Sequence, residues 1–366
     1  MSARREVIVV GGGQAGLAVG HYLAAQDRDF VILEAASGPA AAWRERWDSL
    51  VLFTPVRNDS LPGRPFPGDP DHYPTRDEVV AYLEAYAGSL PVELDSRVTA
   101  VRAADDGFVV EVGDRTYEAD QVVIATGPFQ VPFVPAIASR LGPGVTQLHS
   151  TEYRNPDSLP SGRVLVVGGG NTGFQIAEEL SASREVHLAI GSRQTPLPQR
   201  ILGRDLFRYL EKLGLMRTSV ETRLGSRLQH RDVLIGSSPR SLRRRGVRVH
   251  RRAVDASGSE VTFKDGERLS VDGVIWATGF RVDHSWIDLP GVKDDNGRVK
   301  HTRGVTPSAG LYLLGLTWQW KRTSALLGWV GEDAAYLAEQ IATTNGPPAP
   351  AEAAASRARR IPGGTG

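Results

Sequence analysis

The chain has 366 residues, 41% of them hydrophobic and 23% charged, with a formal net charge of +1. A chain of this length is usually too long for one hydrophobic core, so two domains are expected. The balanced charge favours neither nucleic acid nor a membrane as partner. The sequence contains no cysteine, which excludes disulfides, thiolate metal ligands and an electron-accepting dithiol. No apolar run reaches the roughly 18 residues of a spanning helix. The N-terminal apolar stretch is also too short for a signal peptide, so a cytoplasmic protein is expected.

Short apolar runs alternate with helical patterns along the chain, which is typical of parallel sheets with crossover helices. Strands are predicted at 7–10, 31–33, 108–112 and 121–125, with a helix at 14–25 and another after a capping box at Thr75. A second unit has strands at 164–167, 186–190 and 274–277 and a helix at 171–180. A strand at 311–316 and a helix at 331–341 follow, and the Pro-, Ala- and Gly-rich tail from Thr343 is predicted to be disordered.

An internal repeat organises the sequence. A strand, a GGGxxG loop, a helix and a later Ala-Thr-Gly triplet occur twice, with the glycine clusters starting at Gly11 and Gly168 and the triplets at Ala125 and Ala277. The repeat predicts an α/β fold with two Rossmann-like dinucleotide-binding domains, the second inserted into the first. The expected first domain covers 1–158 and 280–342, the second covers 159–279, and 343–366 form the tail.

The first glycine loop follows a strand and opens a helix, which is the context that binds a dinucleotide pyrophosphate. Gly11 allows the tight turn, Gly13 lets the backbone approach the phosphates, and Gly16 lets helix and strand pack closely. The helix N-terminus presents N–H groups to the phosphates. Glu34 closes the next strand, where a carboxylate accepts hydrogen bonds from ribose hydroxyls. The first domain is therefore predicted to bind FAD.

The second loop repeats this arrangement with Gly168, Gly170 and Gly173, but no acidic residue closes its second strand. Ser192 and Arg193 stand there instead. A carboxylate would repel a 2′-phosphate, whereas an arginine pairs with one and a serine adds a hydrogen bond. The second domain is therefore predicted to bind NADPH in preference to NADH. The alternative interpretation of Arg193 is an ordinary solvated arginine.

Two dinucleotide domains in one chain indicate hydride transfer from a nicotinamide to a flavin. Disulfide reductases share this plan but need a cysteine pair, which this chain lacks. The remaining acceptors are a protein partner, as in ferredoxin-type reductases, or molecular oxygen, as in monooxygenases.

Four segments resemble the class B flavin-dependent monooxygenases, specifically their short bacterial branch, and are similar to the plant indole-3-pyruvate monooxygenases. The resemblance covers roughly residues 5 to 342. The segments are the first glycine loop with Glu34 and 43–50 (WRERWDSL), 61–67 (LPGRPFP) with 73–75, 148–153 (LHSTEY), and 277–280 (ATGF) with 324–328 (SALLG).

The third segment corresponds to the family signature Phe-x-Gly-x-x-x-His-x-x-x-aromatic. His149 and Tyr153 occupy its last two marked positions, while Pro143 and Val145 replace the Phe and the Gly. The resemblance implies that this signature lies at the domain linker and orders the NADPH site, so His149 is expected to be structural rather than an acid or base. Arg154 follows Tyr153 where Baeyer–Villiger members carry Trp-Pro, which favours the heteroatom-oxidising or auxin-type branch.

The resemblance also implies cofactor contacts outside the loops. Trp43 and Arg44 are expected near the FAD ribose or pyrophosphate, although Trp43 could instead be core. The turn before the last helix is expected to face the flavin pyrimidine. Phe53 falls where animal-type members place an Asn beside the flavin. The predicted cofactor-binding residues are Gly11, Gly13, Gln14, Ala15, Gly16, Glu34, Trp43, Arg44, Ala125, Thr126, Gly127, Gly168, Gly170, Asn171, Thr172, Gly173, Ser192, Arg193, Ala277, Thr278, Gly279, Ser324, Leu326 and Leu327.

Three tryptophans flank that turn. Trp318, Trp320 and Trp329 are predicted to line a substrate pocket, with core packing as the alternative. Lys321 and Arg322 between them are expected to be solvated, with binding of a substrate carboxylate or of the NADPH phosphates as the alternative. The arginine-rich stretch 240–252 is interpreted as a solvated face that attracts the anionic cofactor rather than as a nucleic-acid site.

The function implied by the resemblance is that of an FAD- and NADPH-dependent monooxygenase that forms a flavin C4a-hydroperoxide. Its partners are molecular oxygen and a small amine, sulfide or 2-oxo acid. No catalytic side chain and no metal are assigned, because the chemistry is centred on the flavin. Three alternatives stay open: Baeyer–Villiger-type ketone oxygenation, an NADPH oxidase or flavin reductase without oxygenated product, and a non-catalytic redox-responsive binding protein.

Overall fold

The computed structural model describes residues 3–192, 194–229 and 233–344. The strands are β1 Ala3–Val10, β2 Phe30–Leu33, β3 Val92–Glu93, β4 Val98–Ala104, β5 Gly107–Val112, β6 Arg115–Ile124, β7 Val131–Pro132, β8 Thr146–His149, β9 Arg163–Val167, β10 Glu185–Ala189, β11 Thr195–Leu197, β12 Arg200–Ile201, β13 Arg204–Asp205, β14 Val233–Ile235, β15 Arg248–His250, β16 Ala253–Ser257, β17 Glu260–Phe263, β18 Arg268–Ser270, β19 Gly273–Trp276, β20 Phe280–Arg281, β21 Ile287–Asp288 and β22 Leu311–Leu313. The α-helices are α1 Gln14–Ala25, α2 Ala41–Arg44, α3 Arg76–Ala87, α4 Asn171–Leu180, α5 Leu206–Lys212, α6 Arg223–Leu228, α7 Pro239–Arg244 and α8 Val330–Thr343. Short 3₁₀ turns cover Val56–Asn58, Ala136–Arg140, Pro156–Ser158, Leu215–Arg217 and Arg322–Ala325.

The first sheet joins a parallel core to an antiparallel meander, in the order β21-β4-β5-β6-β1-β2-β3, with β22 also paired to β6. Strand β6 pairs antiparallel with β5 over 115–119, and it pairs parallel with β1 over 117–124 and with β22 over 122–124. The core strands are almost entirely Val, Ile and Leu because both of their faces are covered. One face packs against α1, α3 and α8, and the other against the meander.

The second sheet is parallel throughout, in the order β15-β10-β9-β19-β8. Helices α4 and α7 cover one face, and the meander β16–β18 covers the other. Both sheets therefore have the layered architecture in which ligands bind at the carboxyl ends of the strands.

The chain leaves the first sheet after β6 and returns to it at β21 and β22, so the second sheet is inserted within the first. This topology confirms the predicted α/β fold with an inserted Rossmann-like unit. The domain boundaries at 158/159 and 279/280 remain a proposal. Strand β8 precedes the first of them and yet pairs with β19 of the second sheet.

Several elements have their predicted bounds. Helices α1 and α4 agree at both ends, and the capping box at Thr75 is formed. The last strand is shorter than predicted because Gly315, at φ +83°, turns the chain against α1, where an added Cβ would lie 2.6 Å from the Cβ of Ala15. Thr343 ends α8 rather than opening the tail, and 345–366 lie outside the described residues. Within the described part, no helix is long and apolar enough to cross a membrane.

Candidate functional site

The first glycine loop is closed on its inner side and open on its outer side. Gly11 has φ +110°, and a Cβ there would lie 2.7 Å from the carbonyl oxygen of Ala125. A Cβ on Gly16 would lie 1.9 Å from the carbonyl oxygen of Gly11. A Cβ on Gly13, in contrast, would meet no atom within 4 Å. The loop therefore tolerates no side chain against the sheet, while its outer surface leaves room for a ligand.

The second loop has the same geometry. Gly168 has φ +147°, and a Cβ there would lie 2.0 Å from the carbonyl oxygen of Ala277. A Cβ on Gly173 would lie 2.4 Å from the carbonyl oxygen of Gly168, whereas one on Gly170 would meet nothing within 4 Å. Each Ala-Thr-Gly triplet thus begins with the residue against which its loop is packed.

The starts of α1 and α4 fit a pyrophosphate. The N-caps are Gly13 and Gly170, neither of which offers a side-chain cap, and no acidic residue lies in either first turn. The N–H groups of these turns, which include Ala15 and Thr172, therefore have no intrahelical partner and can bind an anion.

The side chain that lies over each glycine loop distinguishes the two loops. The carboxylate of Glu34 accepts hydrogen bonds from Gly12 N (2.6 Å) and Ala36 N (2.9 Å), which hold it over the first loop where a ribose would lie. In the second loop the neutral Gln194 takes this place, since an added Cβ on Gly169 would lie 2.2 Å from Gln194 Nε2. Arg193, the predicted 2′-phosphate ligand, lies outside the described residues.

A cleft of about 650 Å³ opens beside Ser192. Its cations are Arg243, Arg251, Arg252 and Lys264, which outnumber its two acids, Asp265 and Glu267, and we name it the cationic cleft. The Arg252 guanidinium donates to the carbonyl oxygen of Gly191 (3.0 Å), which fixes it at the carboxyl end of β10. The arginine-rich stretch 240–252 therefore contributes directly to this cleft. Its individual contributors were not identified from the sequence, because their convergence depends on β15 lying beside β10.

The two helix starts are tied to elements that meet between the loops. Gln14 donates to the carbonyl oxygen of Ala325 (2.8 Å) and accepts from Trp43 Nε1 (3.0 Å). The Asn171 side chain accepts from Ile235 N (3.0 Å) and donates to the Val233 carbonyl (3.2 Å), which secures β14.

An apolar cluster lies where these elements meet, and we name it the interloop cluster. Phe207 lies at its centre, stacked on Phe53 with ring centroids 6.0 Å apart and packed against Trp329 at 6.0 Å. The cluster comprises Leu206, Phe207, Met216, Ile235 and Trp329, with the partly buried Phe53, Leu197, Leu210, Val233 and Leu326.

The predicted tryptophan pocket is divided among different environments. Trp329 belongs to the interloop cluster, whereas Trp320 lies over the guanidinium of Arg303 at 5.3 Å. Trp318 is half-buried and has φ +58°. Among the described residues no ring contact joins two of these tryptophans.

The turn before α8 is buried. Ser324 Oγ accepts from Trp320 N (3.2 Å) and Lys321 N (3.1 Å), and Leu327 packs in the core. The expectation that Lys321 is solvated was wrong. Lys321 is 4% exposed and paired with Glu332. Arg322 is half-buried, and burial lowers its pKa. The sequence did not indicate the partner of Lys321, because Glu332 approaches it only when the turn before α8 is folded.

His149 joins the linker to the second Ala-Thr-Gly triplet. Its Nε2 is 3.2 Å from the carbonyl oxygen of Gly279 and its Nδ1 is 3.0 Å from Thr151 Oγ1. A carbonyl only accepts, so the geometry requires the Nε2–H form. Burial lowers the pKa of His149, with the bond to Gly279 opposing it. Its neighbour Tyr153 is fully buried and donates to Glu179 on α4 (2.7 Å).

The remaining predicted residues lie around this frame. Arg44 is exposed and paired with Glu84. The backbone carbonyl of Arg44 accepts from Arg154 (2.9 Å), which connects the signature to this segment. Thr126 Oγ1 accepts from Gln130 (2.8 Å) beside Gly127. Thr278 donates to the carbonyl of Phe133.

Sequence reasoning missed a buried acid beside the interloop cluster. Asp59 is 1% exposed and accepts one hydrogen bond, from Thr54 Oγ1 (2.7 Å). Its Oδ2 has no partner among the described residues. Burial raises the pKa of Asp59 to about 8, and the nearby Asp205 adds to the effect. No pattern in the sequence distinguishes it from the exposed acids around it.

Comparison with known proteins identifies the family. The pattern described as pyridine nucleotide-disulphide oxidoreductase matches residues 8–201. An uncharacterized oxidoreductase CzcO-like from Geobacillus kaustophilus is 44% identical over 340 residues, covering 92% of this chain and 98% of that protein. Indole-3-pyruvate monooxygenase YUCCA4 from Oryza sativa is 34% identical over 221 residues, 55% of this chain and 50% of that protein. The structure of the flavin-containing monooxygenase from Stenotrophomonas maltophilia superposes with a TM-score of 0.77 at 30% identity, covering 93% of this chain and 98% of that one.

The chain therefore belongs to the pyridine nucleotide-disulphide oxidoreductase family, and it is an oxidoreductase related to the flavin monooxygenases. The predicted resemblance, the enzyme class and the cofactors FAD and NADPH are confirmed at this level.

Proposed function

We propose that the chain uses FAD and NADPH to insert one atom of molecular oxygen into a small amine, sulfide or 2-oxo acid. Bound FAD would supply the oxygen chemistry as a C4a-hydroperoxide after reduction by NADPH. NADPH provides two electrons, one oxygen atom enters the substrate, and the other leaves as water. The first loop with Glu34 would hold the FAD, and the second loop with Ser192 would hold the NADPH.

The interloop cluster carries this proposal. It lies between the two loops, so the reactive ends of both cofactors would meet beside it. Oxygenating flavoenzymes must keep water from the reduced flavin, and a buried apolar site does so. Phe207 and Trp329 are 2% and 8% exposed, which makes the cluster dry enough for this role.

The absence of cysteine supports oxygen as the acceptor. The matched family is named for disulphide chemistry, but this chain has no thiol that could take electrons from a flavin. The relatives named as monooxygenases pass electrons to oxygen, and the same acceptor is proposed here.

The cationic cleft supports NADPH over NADH. It lies beside Ser192, after the second strand of the inserted unit, which is where the ribose of a bound dinucleotide would lie. Its four cations and the absence of a carboxylate in place of Gln194 favour a ribose that carries a phosphate.

The proposal is tested on purified, FAD-loaded protein by reduction with NADPH, followed by stopped-flow mixing with oxygenated buffer. A transient that absorbs as a C4a adduct before oxidised flavin returns is expected. Direct return of oxidised flavin, with stoichiometric H₂O₂ and no transient, would favour the oxidase alternative and refute the proposal. Failure of NADPH to reduce the flavin would refute the assignment of the second loop.

A matched pair of variants tests the cluster itself. Phe207→Ser introduces a polar group beside the flavin and should raise the H₂O₂ released per NADPH consumed. Leu213→Ser changes an apolar residue of the same segment that is 71% exposed, and should leave that ratio unchanged. Equal ratios in both variants would show that the interloop cluster does not shield the reaction.

A further inference from the structure

Two buried histidines form a continuous chain of contacts beneath the cationic cleft. His187 on β10 and His250 on β15 are 1% and 8% exposed, and Nδ1 of the first is 2.7 Å from Nε2 of the second. His250 Nδ1 is 2.9 Å from Glu267 Oε2, and His187 Nε2 is 3.2 Å from Glu185 Oε1. The ring of His250 also stacks on Phe263 at 4.2 Å.

The chain of contacts determines how many protons the pair holds. Each of the three contacts needs one hydrogen, because carboxylates and unprotonated ring nitrogens only accept. Two neutral imidazoles carry two N–H groups, so one contact would have none. Two imidazolium rings carry four N–H groups, and two of these would then point at each other across the 2.7 Å between the rings. Three protons satisfy all three contacts, which gives the histidine pair one shared positive charge.

The surroundings connect this charge to the cleft. His250 and Glu267 line the cleft with its four cations and Asp265. At the far end, Glu185 also contacts Arg163 (3.1 Å) and Arg248 (3.6 Å). Burial lowers the pKa of His187, with the hydrogen bond to Glu185 opposing the shift. The pair thus holds its extra proton at lower pH and releases it as the pH rises.

We propose that the shared proton of His187 and His250 strengthens binding of a phosphate in the cationic cleft and makes the preference for NADPH over NADH depend on pH. This rests on the proposed role of the cleft in holding the 2′-phosphate. When the proton is lost, the cleft loses one positive charge and the contact between β10 and β15 loses its hydrogen. The two histidines act as positioning residues, because they work through the cleft rather than on the reacting atoms.

The test uses adenosine 2′,5′-bisphosphate and 5′-AMP as probes, titrated calorimetrically into the FAD-loaded protein between about pH 5 and pH 8. The readout is the ratio of the two dissociation constants, compared with that of His250→Phe, which preserves an aromatic ring against Phe263. At the acid end, the dissociation constant of 5′-AMP divided by that of the bisphosphate should be about fivefold larger for wild type than for the variant. This is the effect expected of one partly screened charge. This advantage should vanish at the alkaline end. A constant or absent advantage would overturn the inference.

Further variants preserve the test if His250→Phe does not fold. Glu267→Gln alters a side chain that is 58% exposed and removes the carboxylate that stabilises the proton. The loss of discrimination should then move to lower pH, and an unmoved transition would count against the pair. His72→Gln is the matched control, because His72 is an exposed histidine hydrogen-bonded to Glu78 on the FAD side. It should follow wild type throughout.

Wild type alone offers a second readout. At about pH 7 the 2′-phosphate is already mostly ionised, since its second pKa is near 6. Binding measured in two buffers of different ionisation enthalpy should then show proton uptake by the protein, and none would contradict the inference. If bisphosphate binds with this pH dependence but NADPH does not reduce the flavin, the proposed function fails and the inference stands. If NADPH reduces the flavin but discrimination does not vary with pH, the inference alone fails.

Discussion

Asp59→Asn tests whether a neutral carboxylic acid is built into the interior beside the interloop cluster. Asp59 is 1% exposed, and Thr54 donates the only hydrogen bond that it accepts within the described residues, so ionisation would leave one buried oxygen without a partner there. Its pKa is about 8, against an ordinary value of 3.8. The folded state therefore binds a proton that the unfolded state has already released between these values, and stability falls as pH rises through that window.

The magnitude follows from proton linkage. Inside the window, a single group of this kind costs about 1.4 kcal/mol of unfolding free energy per pH unit. Between about pH 5.5 and pH 7.5 the loss is therefore about 2.5 kcal/mol. With about 2.1 cal/mol/K of unfolding entropy per residue, this corresponds to a fall in Tm of about 3 °C for a chain of this length. The asparagine stays neutral and can still accept from Thr54, so it should not suffer this loss.

The assay is thermal unfolding of wild type and Asp59→Asn at both pH values. The Tm of the variant minus that of wild type should increase by about 3 °C from the lower to the higher pH. Asp77→Asn provides the control, because Asp77 is 77% exposed and its variant should differ from wild type equally at both pH values. If the Asp59→Asn difference is also constant, the carboxyl does not titrate in this window and the reasoning is refuted.

Three further predictions concern the cofactor sites. Gly16→Ala should lose bound flavin, measured by absorbance after desalting, because its Cβ would lie 1.9 Å from a backbone oxygen; Gly13→Ala, with nothing within 4 Å, should fold but bind FAD more weakly. Arg252→Leu should raise the KM for NADPH about 10- to 100-fold and leave the KM for NADH unchanged. Arg244 is exposed and lies outside the cleft, so Arg244→Leu should change neither KM. Gln14→Leu removes both side-chain hydrogen bonds at the start of α1 and should weaken FAD retention by about 1 kcal/mol per bond; unchanged flavin content would contradict a role in the site.

The features that were predictable from sequence are those that depend on local backbone chemistry. The bounds of α1 and α4 follow from a glycine N-cap and an apolar face, and the capping box at Thr75 follows from the spacing of Thr75 and Glu78. The insertion of the second unit was readable because the same loop and triplet occur twice. Each of these features could be predicted from a pattern of a few residues, which in the case of the insertion occurs twice.

The features that were missed depend on distant parts of the chain. Arg252 reaches the carboxyl end of β10 only because β15 adds to that side of the sheet. Lys321 is buried and pairs with Glu332 in the first turn of α8, eleven residues further along the chain. Asp59 has a raised pKa because the fold buries it, and an aspartate with the same sequence neighbours in an exposed loop would have an ordinary pKa. Burial of charge is a property of the whole fold and leaves no local signature.

The two loops also explain how one fold can sort two similar cofactors. Both would hold a pyrophosphate by the same means, with a glycine packed on an alanine carbonyl and a helix start left open, so this part would not discriminate between FAD and NADPH. Discrimination would come from the side chain that lies over each loop. There the first loop has the carboxylate of Glu34, which suits free ribose hydroxyls and repels a phosphate, whereas the second has the neutral Gln194 and a cleft of four cations. Placing a carboxylate at Gln194 should therefore shift the second site towards NADH.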